Sequence, residues 1–156
     1  MFGGIRQIGL VVRSVEATAR RCWDELGIGP WTFYLFDPSN VKNMRVHGRR
    51  VDHAMRTAHA KFGDIDWEII EPLDDNSIYA EHLRTRGEGL HHILFSVGDY
   101  ESARAQLRLN GYEELAGGDW SGDAYSYFDT TGALGCIAEI FRPSAQKAMQ
   151  ADGADR

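Results

Sequence analysis

The feature that most constrains this chain is that it carries one pattern twice. Gln7-Ile-Gly-Leu-Val-Val12 matches His92-Ile-Leu-Phe-Ser-Val97, in each case a polar residue followed by an apolar run. A helix signal stands behind each run. Ser14 precedes Val15 to Leu26, with Gly27 behind; Asp99 precedes Tyr100 to Asn110, with Gly111 behind. A short polar cap in front and a glycine behind satisfy the orphan backbone groups of a helix. A third match completes the repeat: Glu68-Ile-Ile-Glu-Pro72 and Glu139-Ile-Phe-Arg-Pro143 carry glutamate and proline in register. A unit of about 70 residues has little core of its own, so the two must pack together.

Each half reads as strand, helix, then several strands, which makes the fold α+β. The strands are expected at about 5–12, 30–36, 55–62 and 66–71, then at 90–97, 112–116, 124–129 and 135–141, from β-branched and aromatic runs between Gly, Pro and Asp. Asn76-Ser77 starts a linking helix over about 77–86, and Gly87-Glu-Gly89 ends it. The repeats, about 4–73 and 89–143, form one domain over 1–143. Residues 144–156 have little to bury and read as a flexible tail. With 17 basic against 23 acidic residues the net charge is −6, a poor match to nucleic acid or anionic membrane. No apolar run nears the roughly 20 residues of a membrane span, and the N-terminus lacks a secretion-signal layout. A cytoplasmic protein is expected. Cys22 and Cys136 are too few for a disulfide framework and read as inert thiols.

The repeat places four polar side chains at equivalent strand positions: Gln7 and Glu68 in the first half, His92 and Glu139 in the second. If a pseudo-twofold relates the halves, each strand aims one donor into a shared cleft. One amide, one imidazole and two carboxylates suit a divalent Co, Ni, Mn or Zn ion, with positions left for water or substrate. Alternation sends His91 and His92 to opposite faces, and register with Gln7 selects His92 for the cleft.

Five segments carry a family likeness: Ile5-Arg-Gln-Ile-Gly-Leu-Val-Val12, Leu26-Gly-Ile-Gly-Pro30, Trp67-Glu-Ile-Ile-Glu-Pro-Leu73, Gly89-Leu-His-His-Ile93 and Ala138-Glu-Ile140. Over about residues 4–143 the chain resembles the vicinal oxygen chelate superfamily, in the branch containing methylmalonyl-CoA epimerase and glyoxalase I. That resemblance implies two tandem βαβββ modules forming a curved mixed sheet around a cleft, usually in a homodimer. It also implies a metal that chelates two substrate oxygens, with ligands at Gln7, Glu68, His92 and Glu139. Gln7 departs from the epimerases, which usually have histidine there; glutamine is found in glyoxalase I.

The activity implied is epimerase, racemase or isomerase chemistry at a carbon beside a carbonyl, on an acyl-CoA, a keto acid or an aromatic ketone. Glu139 and Glu68 are then both ligands and, when displaced, bases. The epimerases' separate acidic residue maps to Asp52, a further candidate base, with His53 as an alternative proton carrier. Arg45, His47, Arg49, Arg50 and Arg56 form a local basic excess suited to a carboxylate or to CoA phosphates, or to a plain solvated loop. In the second strand, Trp31, Phe33 and Leu35 make one face and Thr32, Tyr34 and Phe36 the other; one is core and the other lines a pocket or a dimer contact. Two alternatives stand beside this reading: a glyoxalase I-like lyase, and a non-catalytic drug-binding protein of the same fold. An extradiol dioxygenase wants two histidines, which Gln7 argues against.

Overall fold

The computed structural model describes residues 1–144, so the tail expected over 144–156 lies, apart from Ser144, outside the described residues. Ten strands form one sheet. The first half supplies β1 (Phe2–Val11), α1 (Val15–Leu26), β2 (Thr32–Phe36), β3 (Val41–Val46), β4 (Arg49–Arg50), β5 (Met55–Phe62) and β6 (Ile65–Pro72). The linker is α2 (Ile78–Arg86). The second half supplies β7 (Gly89–Val97), α3 (Tyr100–Leu109), β8 (Glu114–Trp120), β9 (Asp123–Phe128), α4 (Thr131–Leu134) and β10 (Ile137–Arg142). Ser14, Ser77 and Asp99 cap the three long helices by accepting backbone N–H bonds from Ala17, Ala80 and Ser102.

The sheet order is β2-β5-β6-β1-β7-β10-β9-β8-β3-β4. β1 lies parallel to β6 and antiparallel to β7, and β7 lies parallel to β10. The two repeats are therefore related by a pseudo-twofold running between β1 and β7. The hairpin β3–β4 breaks the symmetry, because it leaves the first half and pairs with β8 of the second. Only residues 37–40 separate β2, at one end of the sheet, from β3, near the other. So short a segment reaches less than about 20 Å, so the sheet must curl into a half-barrel. Hydrogen bonds among Asp37, Ser39 and Asn40, and from Asn40 to the Leu35 carbonyl, lock that turn.

Period-two alternation sorts the side chains. Ile69 and Ile140 face outward, under α1 and α3 respectively. Inside the curl, Val11, Ile70, Met55, Tyr127 and Ile137 pack with Ile78 and Tyr79 of α2. Burying such a cluster is what holds the repeats together, at about 25 cal/mol per Å² of apolar surface.

Several expectations shift. The region 37–54, read as loop, forms β3 and β4. β8 runs to Trp120 instead of ending near residue 116, and a short α4 stands between β9 and β10. Trp31, just before β2, packs against the α1 core, but Phe33 and Leu35 on β2 are exposed, so that face is not core along its length. Among the described residues no helix is long and apolar enough to cross a membrane.

Candidate functional site

The four central strands, β6-β1-β7-β10, each send one polar side chain into the curl. His92 Nε2 on β7 lies 3.3 Å from Gln7 Oε1 on β1, 3.3 Å from Glu68 Oε2 on β6 and 3.1 Å from Glu139 Oε2 on β10. Glu68, His92 and Glu139 are all buried. Gly9 makes the convergence possible. It sits in register with Glu68 on one side and His92 on the other. A Cβ there would stand 2.0 Å from His92 Cε1, so only a residue without a side chain lets the imidazole lie across β1.

His91 and His92 do not part to opposite faces. In the β1–β7 ladder Gly9 pairs with His92 and Leu10 with Leu90, which leaves His91 as the extra residue of a β-bulge. The bulge turns both rings inward, with their Nδ1 atoms 3.0 Å apart. The His91 ring lies among Tyr79, His82 and Tyr127.

Two residues not singled out from the sequence complete the cluster. His59 Nδ1 lies 2.9 Å from Asp66 Oδ2, and its Nε2 lies 3.2 Å from Glu68 Oε1. The Gln7 amide nitrogen donates to the same Asp66 Oδ2 at 2.8 Å. Both residues follow from alternation: Asp66 is two positions before Glu68, and His59 is directly across the ladder from it. Burial disfavours the charged form of every member, but pairing outweighs it for His59, His92 and Glu68. His59 is pushed up to about 10 by Asp66 and Glu68, and His92 up to about 9 by Glu139 and Glu68. Glu68, bonded by both imidazoles, is held down to about 2. For Glu139 burial wins over His92, and its pKa is raised. The two carboxylates are thus driven in opposite directions.

Does this cluster fit a metal ion? A single Nε2 hydrogen cannot serve three oxygens at once, and Glu139 Oε2 is buried without a hydrogen bond. A cation would satisfy all of them. Neighbouring ligands about 2.1 Å from an ion sit about 3 Å apart in octahedral geometry, close to the spacings here. The mixed N/O set suits a borderline divalent ion. As they stand, the donors are closed on one another, and among the described residues no group of three or more His, Cys, Asp or Glu is splayed to hold a metal. The chemistry of the donor set fits such an ion, which the donors as placed would have to move apart to enclose.

Gln7, His59, Glu68 and Glu139 share a cavity of about 230 Å³ whose other walls are mostly apolar and aromatic, including Phe36, Trp120 and Tyr125. Phe36 and Trp120 meet edge to face at 5.3 Å, bringing β2, at one end of the sheet, against β8 in its far half. Tyr79 and Tyr127 line the floor with their hydroxyls 2.8 Å apart.

Asp52 is not brought to this cavity. It is exposed, just before β5, and its carbonyl accepts from Asn76. His53 is buried against Tyr79, and burial lowers its pKa. Of the basic cluster, Arg45, His47, Arg49 and Arg50 stay together on the β3–β4 hairpin and Arg56 lies apart on β5; none lines the cavity. Arg45 pairs with Glu114, His47 with Glu81 and Glu113, and Arg56 with Glu16, while Arg49 and Arg50 are exposed on β4.

Comparison with known proteins agrees with this architecture. The family model described as the Glyoxalase/Bleomycin resistance protein/Dioxygenase superfamily matches residues 6–128. No curated protein matches the chain significantly. Among solved structures, methylmalonyl-CoA epimerase from Mycobacterium tuberculosis superposes with a TM-score of 0.69 at 18% identity, over 95% of this chain and 93% of that one. A Streptomyces coelicolor methylmalonyl-CoA epimerase variant in complex with 2-nitronate-propionyl-CoA gives 0.70 at 20% identity, over 93% and 97%. A hypothetical protein from Bacillus halodurans gives 0.64 at 21%, over 92% and 96%. These likenesses establish a shared fold.

Proposed function

We propose that this chain, which belongs to the glyoxalase/bleomycin resistance protein/dioxygenase superfamily, is a metal-dependent isomerase that moves a proton at a carbon beside a carbonyl. Epimerase or racemase chemistry is the form intended, with an acyl-CoA as the favoured substrate class and keto acids or aromatic ketones behind it. One observation carries the reading. Three side-chain oxygens from three strands surround a single imidazole nitrogen at the wall of a mostly apolar cavity.

Gln7, Glu68, His92 and Glu139 would hold a Co, Ni, Mn or Zn ion. When bound, such an ion polarises the substrate carbonyl and stabilises the enolate that deprotonation leaves. The chain's own groups handle the proton. Glu139, whose burial favours its protonated form, accepts the proton at Oε2 once substrate displaces it from the ion, and return of a proton to the other face of the planar enolate gives the epimer. Glu68, fixed as a carboxylate by His59, keeps its charge and stays a ligand. The aromatic walls keep bulk water away from the reacting carbon and the charge that develops there. The cavity is smaller than a drug-sized site and takes the reacting end of a substrate. The remainder of an acyl-CoA would lie outside it.

Solved epimerases of this fold have been crystallised with methylmalonyl-CoA and with 2-nitronate-propionyl-CoA, which supports the acyl-CoA class. A homodimer is part of the proposal, supported by the exposed apolar edge strand β2, where Phe33 and Leu35 are 48% and 51% exposed. The test is proton–deuterium exchange in D₂O with methylmalonyl-CoA, a 2-keto acid and an aromatic ketone. Exchange at one carbon of one compound is expected, reduced at least about 100-fold by Glu139→Gln and abolished by chelator. Protein purified metal-free without chelators, and inert to all three compounds, would favour a non-catalytic binding role.

A further inference from the structure

We propose that Asp66 is a positioning residue that fixes which way round the Gln7 amide is presented to the ion; the inference rests on the metal-binding reading above. A side-chain amide is two-ended, and only its oxygen can ligate a cation. Nothing about glutamine itself selects that end. Here the ladder pairs Gln7 directly with Asp66 across β1 and β6. Asp66 Oδ2 takes the Gln7 Nε2–H at 2.8 Å, and Oε1 is left facing His92 Nε2 at 3.3 Å. With the amide reversed, Oε1 would meet a carboxylate oxygen at 2.8 Å, two acceptors with no hydrogen between them. His59 Nδ1 donates to the same Oδ2 at 2.9 Å, and Lys61 Nζ lies 3.9 Å from Oδ1. These contacts hold Asp66 in place beside the amide. Asp66 is not among the residues that line the cavity. It acts through Gln7.

A carboxylate at position 7 would need no such help, because its two ends are alike. The experiment is therefore a double-mutant cycle: wild type, Asp66→Ala, Gln7→Glu, and the two combined. Co²⁺ affinity is measured by calorimetric titration, with folding checked by circular dichroism. The Gln7 side-chain NH₂ pair is followed in ¹H–¹⁵N spectra of the metal-free protein. Asp66→Ala is expected to weaken Co²⁺ binding roughly ten- to a hundredfold in the Gln7 protein. In the Gln7→Glu background it should weaken binding little or strengthen it, since a like charge is then removed. The NH₂ pair should exchange slowly in wild type and become solvent-like in Asp66→Ala. An equal loss in both backgrounds would overturn the assignment, as would a solvent-like NH₂ pair in wild type. A protected NH₂ pair in a wild type that takes up no Co²⁺ would instead remove the metal reading and uphold the anchoring.

Discussion

Gly9 shows how a single residue governs the centre. Its role is spatial: the His92 ring occupies the volume any Cβ would need. Gly9→Ala should displace the imidazole, cut bound Co²⁺ or Zn²⁺ below about a tenth of wild type and destabilise the fold by about 1–3 kcal/mol. Elemental analysis and urea unfolding check both. Gln7, Glu68, His92 and Glu139 were readable from the sequence because the repeat sets each against a counterpart. Asp66 was not, since its counterpart in the second half is the apolar Ile137, and a repeat is silent where its copies disagree. The inward turn of His91 was equally hidden, because a bulge is a property of two paired strands.

At the scale of elements, helices were legible and crossing strands were not. Caps and closing glycines are local, so α1, α2 and α3 lie close to where the sequence places them. β3 is a strand only because β8 lies beside it, some 70–80 residues further along the chain. Its inward Met44 is 2% exposed. Met44→Ala should cost about 2–5 kcal/mol in urea unfolding, a loss a solvated loop would not show. Glu114 on β8 ties this crossing to α3, accepting from Arg45, Arg104, Arg108 and Ser126. Burial opposes its charge, but those bonds outweigh it and hold its pKa below the ordinary value. A carboxyl whose folded pKa is lowered stabilises the fold fully above its unfolded value, near 4.3, and that contribution vanishes as pH falls through the folded value. Urea unfolding from pH 7 to 2.5 should therefore show stability falling below about pH 4.3. Glu114→Gln should be less stable at pH 7 and fall less steeply in that window.

For the molecule as a whole, each half brings two of the four donors, so a bound cation joins the halves. Anything that binds only the folded state stabilises it, by about 2.7 kcal/mol at 100 times Kd. Saturating Co²⁺ should raise the Tm by about 5–10 °C in a chain of this size. Glu139→Ala should abolish most of that shift in a scanning calorimetry series. The net charge was plain from the sequence, and the paired modules and curved sheet were implied by the family resemblance; the crossing that closes the curl, β3 beside β8, was not legible. The turn at 37–40 that carries the chain from β2 to β3 has a mechanical consequence. It tethers the two rims of the half-barrel at one corner, where Phe36 rests on Trp120. An aromatic contact of that kind is worth about 1 kcal/mol, far less than unzipping a strand. The hydrogen-bonded turn is thus a short covalent spine along that edge, backed by the interior packing that Val46 of β3 shares with Met55 and Ile70.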